Sequence, residues 1–279
     1  MYTNIFKRRT CGRFLEKSFC YLLIFVINPS FFIFEILVVR PIVVKTYNLS
    51  QYKHVFHIMC STFCFINIIG NMMLCILTGT SLKGTVSSDS YCAQCETNRP
   101  AAAWHCATCN TCVLRRDHHC FFLSRCIGLQ NQRYYILYVG YLFIALGYST
   151  YYNYYYILTK FEDDDLYLSV FRVINPLLRY MIPEPLGMKD LYVLFLFLNS
   201  GLVIWSGVLF WFHMRNIFRG VTAREYKHSR GVAWVEMKKN FVGVFGTRWY
   251  WAILWPLAHS PLPTSGINNH MFQRTTHTF

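Results

Sequence analysis

The chain has 279 residues, 54% of them hydrophobic, and a mean hydropathy of +0.27. An apolar excess of that size, gathered into long runs, excludes an ordinary soluble protein. The net charge of +14 is spread between those runs, which favours anionic lipid over nucleic acid as the partner of the positive face.

In chain order, a basic tail (residues 1–18) leads into an apolar run over about 19–39. This run is longer than the core of a signal peptide and has no clear small-residue cleavage site, so it reads as a retained helix. A second run covers about 55–76. Glu35 in the first run and Asn67 and Asn71 in the second need partners inside a helix bundle. A cysteine-rich segment follows (79–133), then apolar runs over about 134–158 and 191–213, then a basic C-terminal segment (214–279). Each run is near the roughly 20 residues that cross a bilayer core. Lys and Arg number five in 1–18, six in 79–133 and nine in 214–279, against three in 40–54 and four in 159–190. Four spans put the three basic segments on one side, which is then cytosolic, with both termini. The remaining long loop carries Glu162-Asp163-Asp164-Asp165, as a luminal loop can. Asn240–Gly246 and Trp249-Tyr250-Trp251 read as a segment packed at the membrane interface. The last fifteen or so residues are expected to be mobile. No internal repeat is evident. The expected fold is an all-α polytopic membrane protein, with four transmembrane helices and a small cytosolic two-zinc domain between helices two and three. Its divisions are 1–18, 19–78, 79–133, 134–213 and 214–279.

The cysteine-rich segment carries the chemistry. Seven of the twelve cysteines fall between Cys92 and Cys126. In the cytosol such density reads as metal binding or catalysis rather than disulfides. Cys92, Cys95, His105, Cys106, Cys109, Cys112, His119 and Cys126 are eight donors, enough for two closed four-coordinate zinc sites. His105 and Cys106 are adjacent, and their side chains diverge in extended chain, so they serve different ions. That implies interleaved sites, Cys92 and Cys95 with His105 in one and Cys106 and Cys109 in the other. Spacing leaves open which site takes Cys112. Cys120 is then a surplus thiol. If His119 faces zinc, alternation turns His118 to the side of Cys120, where an imidazole can take a thiol proton. Asp117 could fix the imidazole tautomer, given a turn. The rival reading makes Cys120 and His118 spare ligands in a structural module. The remaining cysteines read as apolar filler, with acylation a second reading for Cys11 and Cys20.

The string Cys92-x2-Cys95-x3-Arg99-Pro100, His105-Cys106-x2-Cys109-x2-Cys112-x4-Asp117-His118-His119-Cys120-x5-Cys126-x-Gly128-x2-Asn131 resembles the DHHC protein S-acyltransferases. Thr222-Ala223-Arg224-Glu225 and Asn240–Gly246 are similar to two motifs that follow the family's last helix. The resemblance implies that Cys120 takes a fatty acyl group from acyl-coenzyme A as a thioester and passes it to a cysteine of a membrane-associated protein. His118 is then the base and Asp117 its orienter. It further implies one zinc ion on Cys92, Cys95, His105 and Cys112, and another on Cys106, Cys109, His119 and Cys126. Arg99, Arg115 and Arg116 are candidates to hold the coenzyme A phosphates, with anionic-lipid contact the other reading of Arg115 and Arg116. The implied membrane is Golgi or endoplasmic reticulum. By resemblance, Ala145 lies near the far end of the acyl cavity, where a small side chain leaves room for palmitoyl or longer chains.

The chain departs from the family pattern in places. Phe121-Phe122-Leu123-Ser124-Arg125 replaces the usual Pro-Trp and Asn-rich stretch. Ala102 replaces an Arg, and Ala223 replaces a Thr whose hydroxyl helps fix the active-site Asp. Thr80-Ser81-Leu82-Lys83-Gly84 stands where Asp-Pro-Gly is usual. These losses frame the alternative function, a catalytically weak or inactive zinc-stapled membrane adaptor. A membrane-anchored zinc-finger ubiquitin ligase fits less well, because it needs no surplus Cys/His pair.

Overall fold

The structure, a computed structural model, describes residues 2–82, 90–161, 163–175, 187–225 and 234–263. Lys83, Gly84, Glu162 and the tail 264–279, singled out above, lie outside these residues.

Helix α1 (Tyr2–Leu22) continues through a π turn (Leu23–Ile27), α2 (Asn28–Phe34), a second π turn (Glu35–Val39) and α3 (Arg40–Thr46). Each π turn lies just before a proline, Pro29 or Pro41. Proline has no N–H and its ring crowds the carbonyl four residues back, and a widened turn accommodates both defects without ending the helix. Helix α4 (Gln51–Leu77) follows, then α5 (Gln132–Leu158), α6 (Asp163–Ile174), α7 (Met188–Arg219), α8 (Trp234–Phe245) and α9 (Trp249–Leu254). Among the described residues, three helices are long and apolar enough to cross a membrane: Gly12–Thr46, Gln51–Leu77 and Met188–Arg219. Much of their apolar surface faces outward, as at Leu37, Ile204 and Trp211, where lipid rather than water suits it. The remaining expected span coincides with α5, 27 residues long, in which ten tyrosines lower the hydropathy without shortening the helix.

The cysteine-rich segment departs from the all-α expectation. It folds as three antiparallel hairpins: β1 (Ser90–Cys92) with β2 (Thr97–Arg99), β3 (Ala103–Cys106) with β4 (Thr111–Leu114), and β5 (His118–Cys120) with β6 (Arg125–Ile127). Short chelating spacings demand reverse turns, and a reverse turn flanked by extended residues is a hairpin. Helix α6 was also unexpected, and lies in the loop between the last two runs.

The chain divides into two compact units. One comprises Asn28–Ile66 and Val139–Leu209. There Glu35 finds the partners its burial demands, accepting hydrogen bonds from the Ser149 hydroxyl and the Asn153 amide. Asn199 donates to the same Ser149 oxygen at 3.2 Å. Val39, Val43, Tyr156 and Ile157 form a buried cluster in this unit.

The other unit comprises Met1–Ile27, Asn67–Tyr138 and Phe210–Phe279, and holds the hairpins. Asn131 is fully buried and joins α4 to the third hairpin. Its amide donates to the carbonyls of Cys75 (3.2 Å) and Cys126 (3.0 Å), and its carbonyl oxygen accepts from the Gly128 N–H (2.9 Å). Helix α7 ends at Gly220, whose φ of 69° suits glycine and whose missing side chain leaves room for Asn240. Asn240 in turn donates to the Phe218 carbonyl at 3.0 Å, tying α8 to the end of α7. Asn67 and Asn71 also find partners, the amide of Asn71 donating to the Asn67 carbonyl at 2.9 Å.

Replacing Asn131 by Ala leaves three buried backbone groups unpaired. We expect a loss of roughly 2–4 kcal/mol and a fall of several degrees in the melting temperature of the detergent-solubilised protein, read by fluorescence-detected gel filtration.

Candidate active site

The three hairpins are copies of one unit. Cys92, Cys106 and Cys120 stand fourteen residues apart and each ends the first strand of its hairpin. Four residues after each of these cysteines, closing the turn, comes a left-handed residue: Glu96 (φ 51°), Asn110 (φ 53°) and Ser124 (φ 49°). His105 and His119 repeat at the same spacing, as do Cys112 and Cys126. The sequence reading missed this repeat, because Leu123 replaces the second cysteine in the third copy.

Register explains how the donors converge. His105 pairs with Cys112 across the second hairpin, and His119 pairs with Cys126 across the third. Directly opposed residues project to the same face of a hairpin. Each such pair meets the two cysteines of the preceding turn, giving Cys92, Cys95, His105 and Cys112 as one set and Cys106, Cys109, His119 and Cys126 as the other. Within each set all donor atoms lie within 4.8 Å of one another. The His105 Nδ1 is 3.2 Å from the Cys95 sulfur and the His119 Nδ1 is 3.3 Å from the Cys109 sulfur. The Cys112 and Cys95 sulfurs are 3.8 Å apart, and those of Cys109 and Cys126 are 3.6 Å apart. A zinc tetrahedron has edges of about 3.3–3.8 Å, so both sets fit the ion by donor type and spacing. Glu16 on α1 adds a feature the sequence did not suggest: its carboxylate lies 3.0 Å from the His119 Nε2. A carboxylate behind a ligating imidazole fixes the tautomer that presents the other nitrogen to a metal.

The third copy has no following hairpin to supply a histidine and a cysteine. Cys120 therefore stands in neither donor set. Strand alternation along β5 places His118 on the face of Cys120 and His119 on the other. Burial pushes the Cys120 thiol up to about 11, against the pull of the Leu123 and Phe122 backbone N–H groups. The same type of turn N–H group reaches the Cys106 sulfur, from Cys109 at 3.5 Å. At neutral pH the buried thiol is protonated and needs a base to become a nucleophile.

His118, the expected base, is held by a buried carboxylate. The His118 Nδ1 is 2.9 Å from the Asp117 Oδ2. The expected turn is present: Arg115, two residues before Asp117, is left-handed (φ 47°), and the Asp117 N–H donates to the Ile127 carbonyl at 2.8 Å. Burial would raise the Asp117 carboxyl, but hydrogen bonds from His118 and from His213 outweigh it and hold the group well below the usual carboxylate range. Its other oxygen accepts the backbone N–H of Ala223. The side chain lost at position 223 thus leaves a main-chain donor in place. Thr222 closes that turn, its N–H and hydroxyl donating to the Glu225 carboxylate at 3.0 and 3.1 Å.

His213, near the end of α7, was not among the candidates. Its Nδ1 is 3.2 Å from the Asp117 Oδ2, and its Nε2 is 3.4 Å from the Tyr135 hydroxyl. A histidine at the C-terminal end of an apolar run was the available signal, but only tertiary structure brings it to Asp117.

The three arginines lie apart in environment. Arg99 donates to the Ala103 carbonyl, with its guanidinium 5.2 Å from the centre of the Trp104 ring. Arg224 lies 4.2 Å from the centre of the same ring. Arg116 is half-buried, and although burial disfavours its charge, the neighbouring Cys126 and Cys106 sulfurs more than offset this. Arg115 is buried, with Glu225 and Asp117 as its opposing charges, which departs from the surface phosphate contact expected of it.

A buried thiol outside two zinc-type donor sets, with a carboxylate-held imidazole on its strand face, in a chain with membrane-length helices, fits a membrane-bound enzyme of the thiol-dependent transferase class. The family described as DHHC palmitoyltransferase matches residues 85–230, over half of the chain. The chain belongs to this family. It is 29% identical over 245 residues to the Homo sapiens protein "Probable palmitoyltransferase ZDHHC24", covering 77% of each chain. Identity to the Rattus norvegicus protein of the same name is 26% over 212 residues, 72% of this chain and 74% of the relative. "Palmitoyltransferase PFA3" of Debaryomyces hansenii is 31% identical over 150 residues, 53% of this chain and 33% of the relative.

Purified protein is expected to carry two zinc ions, and Cys109→Ala to lose one of them, by plasma mass spectrometry. Glu16→Ala should keep both ions but weaken the His119 site about 10- to 100-fold in competition with a chelator.

Proposed function

We propose that the chain is a protein-cysteine S-palmitoyltransferase working through a Cys120 thioester. The observation that carries this reading is the position of Cys120: a turn thiol outside both donor sets, sharing a strand face with an imidazole held on a buried carboxylate. His118 takes the Cys120 proton through Nε2, and Asp117 stabilises the imidazolium that results. The thiolate attacks the thioester carbonyl of acyl-coenzyme A, the carbon–sulfur bond to coenzyme A breaks, and the leaving thiolate takes the proton back. A cysteine of a membrane-associated protein then attacks the Cys120 thioester, and its proton passes through His118 to the Cys120 sulfur.

In this scheme α5 is a fourth span, the termini and the hairpins are cytosolic, and the membrane is that of the Golgi or endoplasmic reticulum. Two structural zinc ions on the paired donor sets hold β5 in place. Zinc would supply no chemistry to the acyl transfer beyond holding the hairpins. Coenzyme A phosphates fall to Arg99 and Arg116, which are only partly buried, and Arg115 acts as an internal counter-charge. The inactive-adaptor reading rested on Ala223 in part, and the main-chain donor at that residue supports a working Asp117.

Cys120→Ser should abolish hydroxylamine-sensitive labelling by radioactive palmitoyl-coenzyme A while both zinc ions remain bound. His118→Ala should slow it by roughly 10²- to 10⁴-fold. Full labelling of the Cys120 variant, with no other labelled cysteine, would defeat the mechanism. With Ala145 small, palmitoyl- and stearoyl-coenzyme A should outcompete myristoyl-coenzyme A as acyl donors. Equal or better competition by the myristoyl compound would reject that length preference.

A further inference from the structure

Asp117 is buried, acceptor-only when ionised, and met by three nitrogens. Two of them belong to imidazoles on the same oxygen, His118 Nδ1 at 2.9 Å and His213 Nδ1 at 3.2 Å. The third is the Ala223 N–H on the other oxygen. A carboxylate can only accept, so each imidazole carries its hydrogen on Nδ1 when neutral. His213 Nε2 is then an acceptor, and its partner is the Tyr135 hydroxyl at 3.4 Å. The donors run one way: Tyr135 O–H to His213 Nε2, and His213 Nδ1–H to Asp117 Oδ2. The His118 Nδ1–H meets the same oxygen, which leaves the His118 Nε2 lone pair on the side of Cys120. His213 and Tyr135 are buried like Asp117, so water does not compete for these bonds. The three rings also pack together, with centroids 5.0 to 5.2 Å apart between His118, Tyr135 and His213.

We infer that His213 is a positioning residue for the acyl transfer: its Nδ1–H, set by the Tyr135 hydroxyl, holds Asp117 in the orientation that fixes the tautomer of His118. The inference rests on the Cys120 mechanism proposed above. Without the second imidazole, Asp117 Oδ2 has one donor instead of two. The carboxylate can then turn about its side-chain torsion, and His118 loses the anchor that keeps Nε2 unprotonated towards the thiol. The ring nitrogens of His213 face Asp117 and Tyr135, so its loss should leave acyl-coenzyme A binding intact.

The test measures single-turnover formation of the acyl-enzyme from radiolabelled palmitoyl-coenzyme A, using full-length protein in detergent micelles. His213→Asn keeps an N–H close to the place of Nδ1, and His213→Leu keeps the bulk without the donor. We expect His213→Leu to slow the first-order step on the order of 10- to 100-fold, with an unchanged half-saturating substrate concentration. His213→Asn should stay within about threefold of the parent. Tyr135→Phe should fall between them, because His213 can then take the other tautomer. Ala223→Thr, which adds a hydroxyl beside Asp117, should raise the rate by a larger factor in the His213→Leu background than in the parent, a non-additivity that simple packing loss would not produce. Zinc content and melting temperature are read on every variant. The inference is overturned if His213→Leu keeps the parental rate, or if the Asn and Leu variants are slowed equally. Should His213→Leu fail to fold, Tyr135→Phe against His213→Asn decides, and parental rates in Tyr135→Phe reject the role. Labelling that survives Cys120→Ser would sink the underlying mechanism instead, so the two failures are told apart.

Discussion

A reverse turn ending in a left-handed residue, used three times at fourteen-residue intervals, is the constraint on which the rest of this site depends. For a residue with a side chain that conformation costs on the order of 1–2 kcal/mol. Asparagine tolerates it best, yet only one of the three positions is Asn110, and the others are Glu96 and Ser124. In the first two turns the cost is offset by four converging metal donors. The third turn has no second cysteine and no following hairpin. Its conformation is inherited from the hairpin, and the hairpin is held by His119 and Cys126, which face the metal-donor set on the other side of the strand. The same geometry that presents a thiol to a metal in two copies thus presents it to the reaction in the third.

The second constraint is a buried negative charge. Asp117 is buried, and an isolated carboxylate there would take up a proton. Three nitrogen donors and the nearby Arg115 guanidinium keep it ionised. They come from a strand, from α7 and from the turn after it, which are far apart in sequence. The C-terminal segment matters to chemistry for this reason: Asn240 ties α8 to the last turn of α7, next to the residues that reach Asp117.

Much of this was legible in the sequence because its causes are local. Long apolar runs must become helices wherever the backbone has no water to bond, and chelating spacings within a few residues must become turns. Cys120 stood out by arithmetic alone, as the thiol left when two tetrahedra were filled. What escaped has non-local causes. His213 and Glu16 matter only through residues about a hundred positions away, and a lone histidine or glutamate at the end of an apolar run has many ordinary uses. The π turns follow from Pro29 and Pro41, but proline signals a helix break as readily as a bulge. The fourteen-residue repeat is written plainly in the cysteines and histidines. It was hidden because the copy that carries Cys120 has lost a ligand, Leu123 for cysteine, and so does not match its siblings. Arg115 was misplaced because charge density in a sequence does not reveal which cation turns inward to neutralise a carboxylate.

Burial also explains why the nucleophile can wait safely. A thiol moved from 9.0 to about 11 has had its thiolate disfavoured by about 3 kcal/mol. At neutral pH it is almost wholly protonated, and the protonated form resists alkylation and oxidation. The cysteines of the two donor sets would be protected differently, by a bound metal ion. In the proposed mechanism, reactivity at Cys120 is therefore created at the moment of need, by an imidazole with the correct nitrogen free. That requirement moves the burden of catalysis from the thiol to the orientation of His118, and from His118 to the carboxylate behind it. A residue that merely tilts Asp117 can then change the rate as much as one that touches the acyl group, which is why the hydrogen bonds on a single carboxylate oxygen carry such weight in this chain.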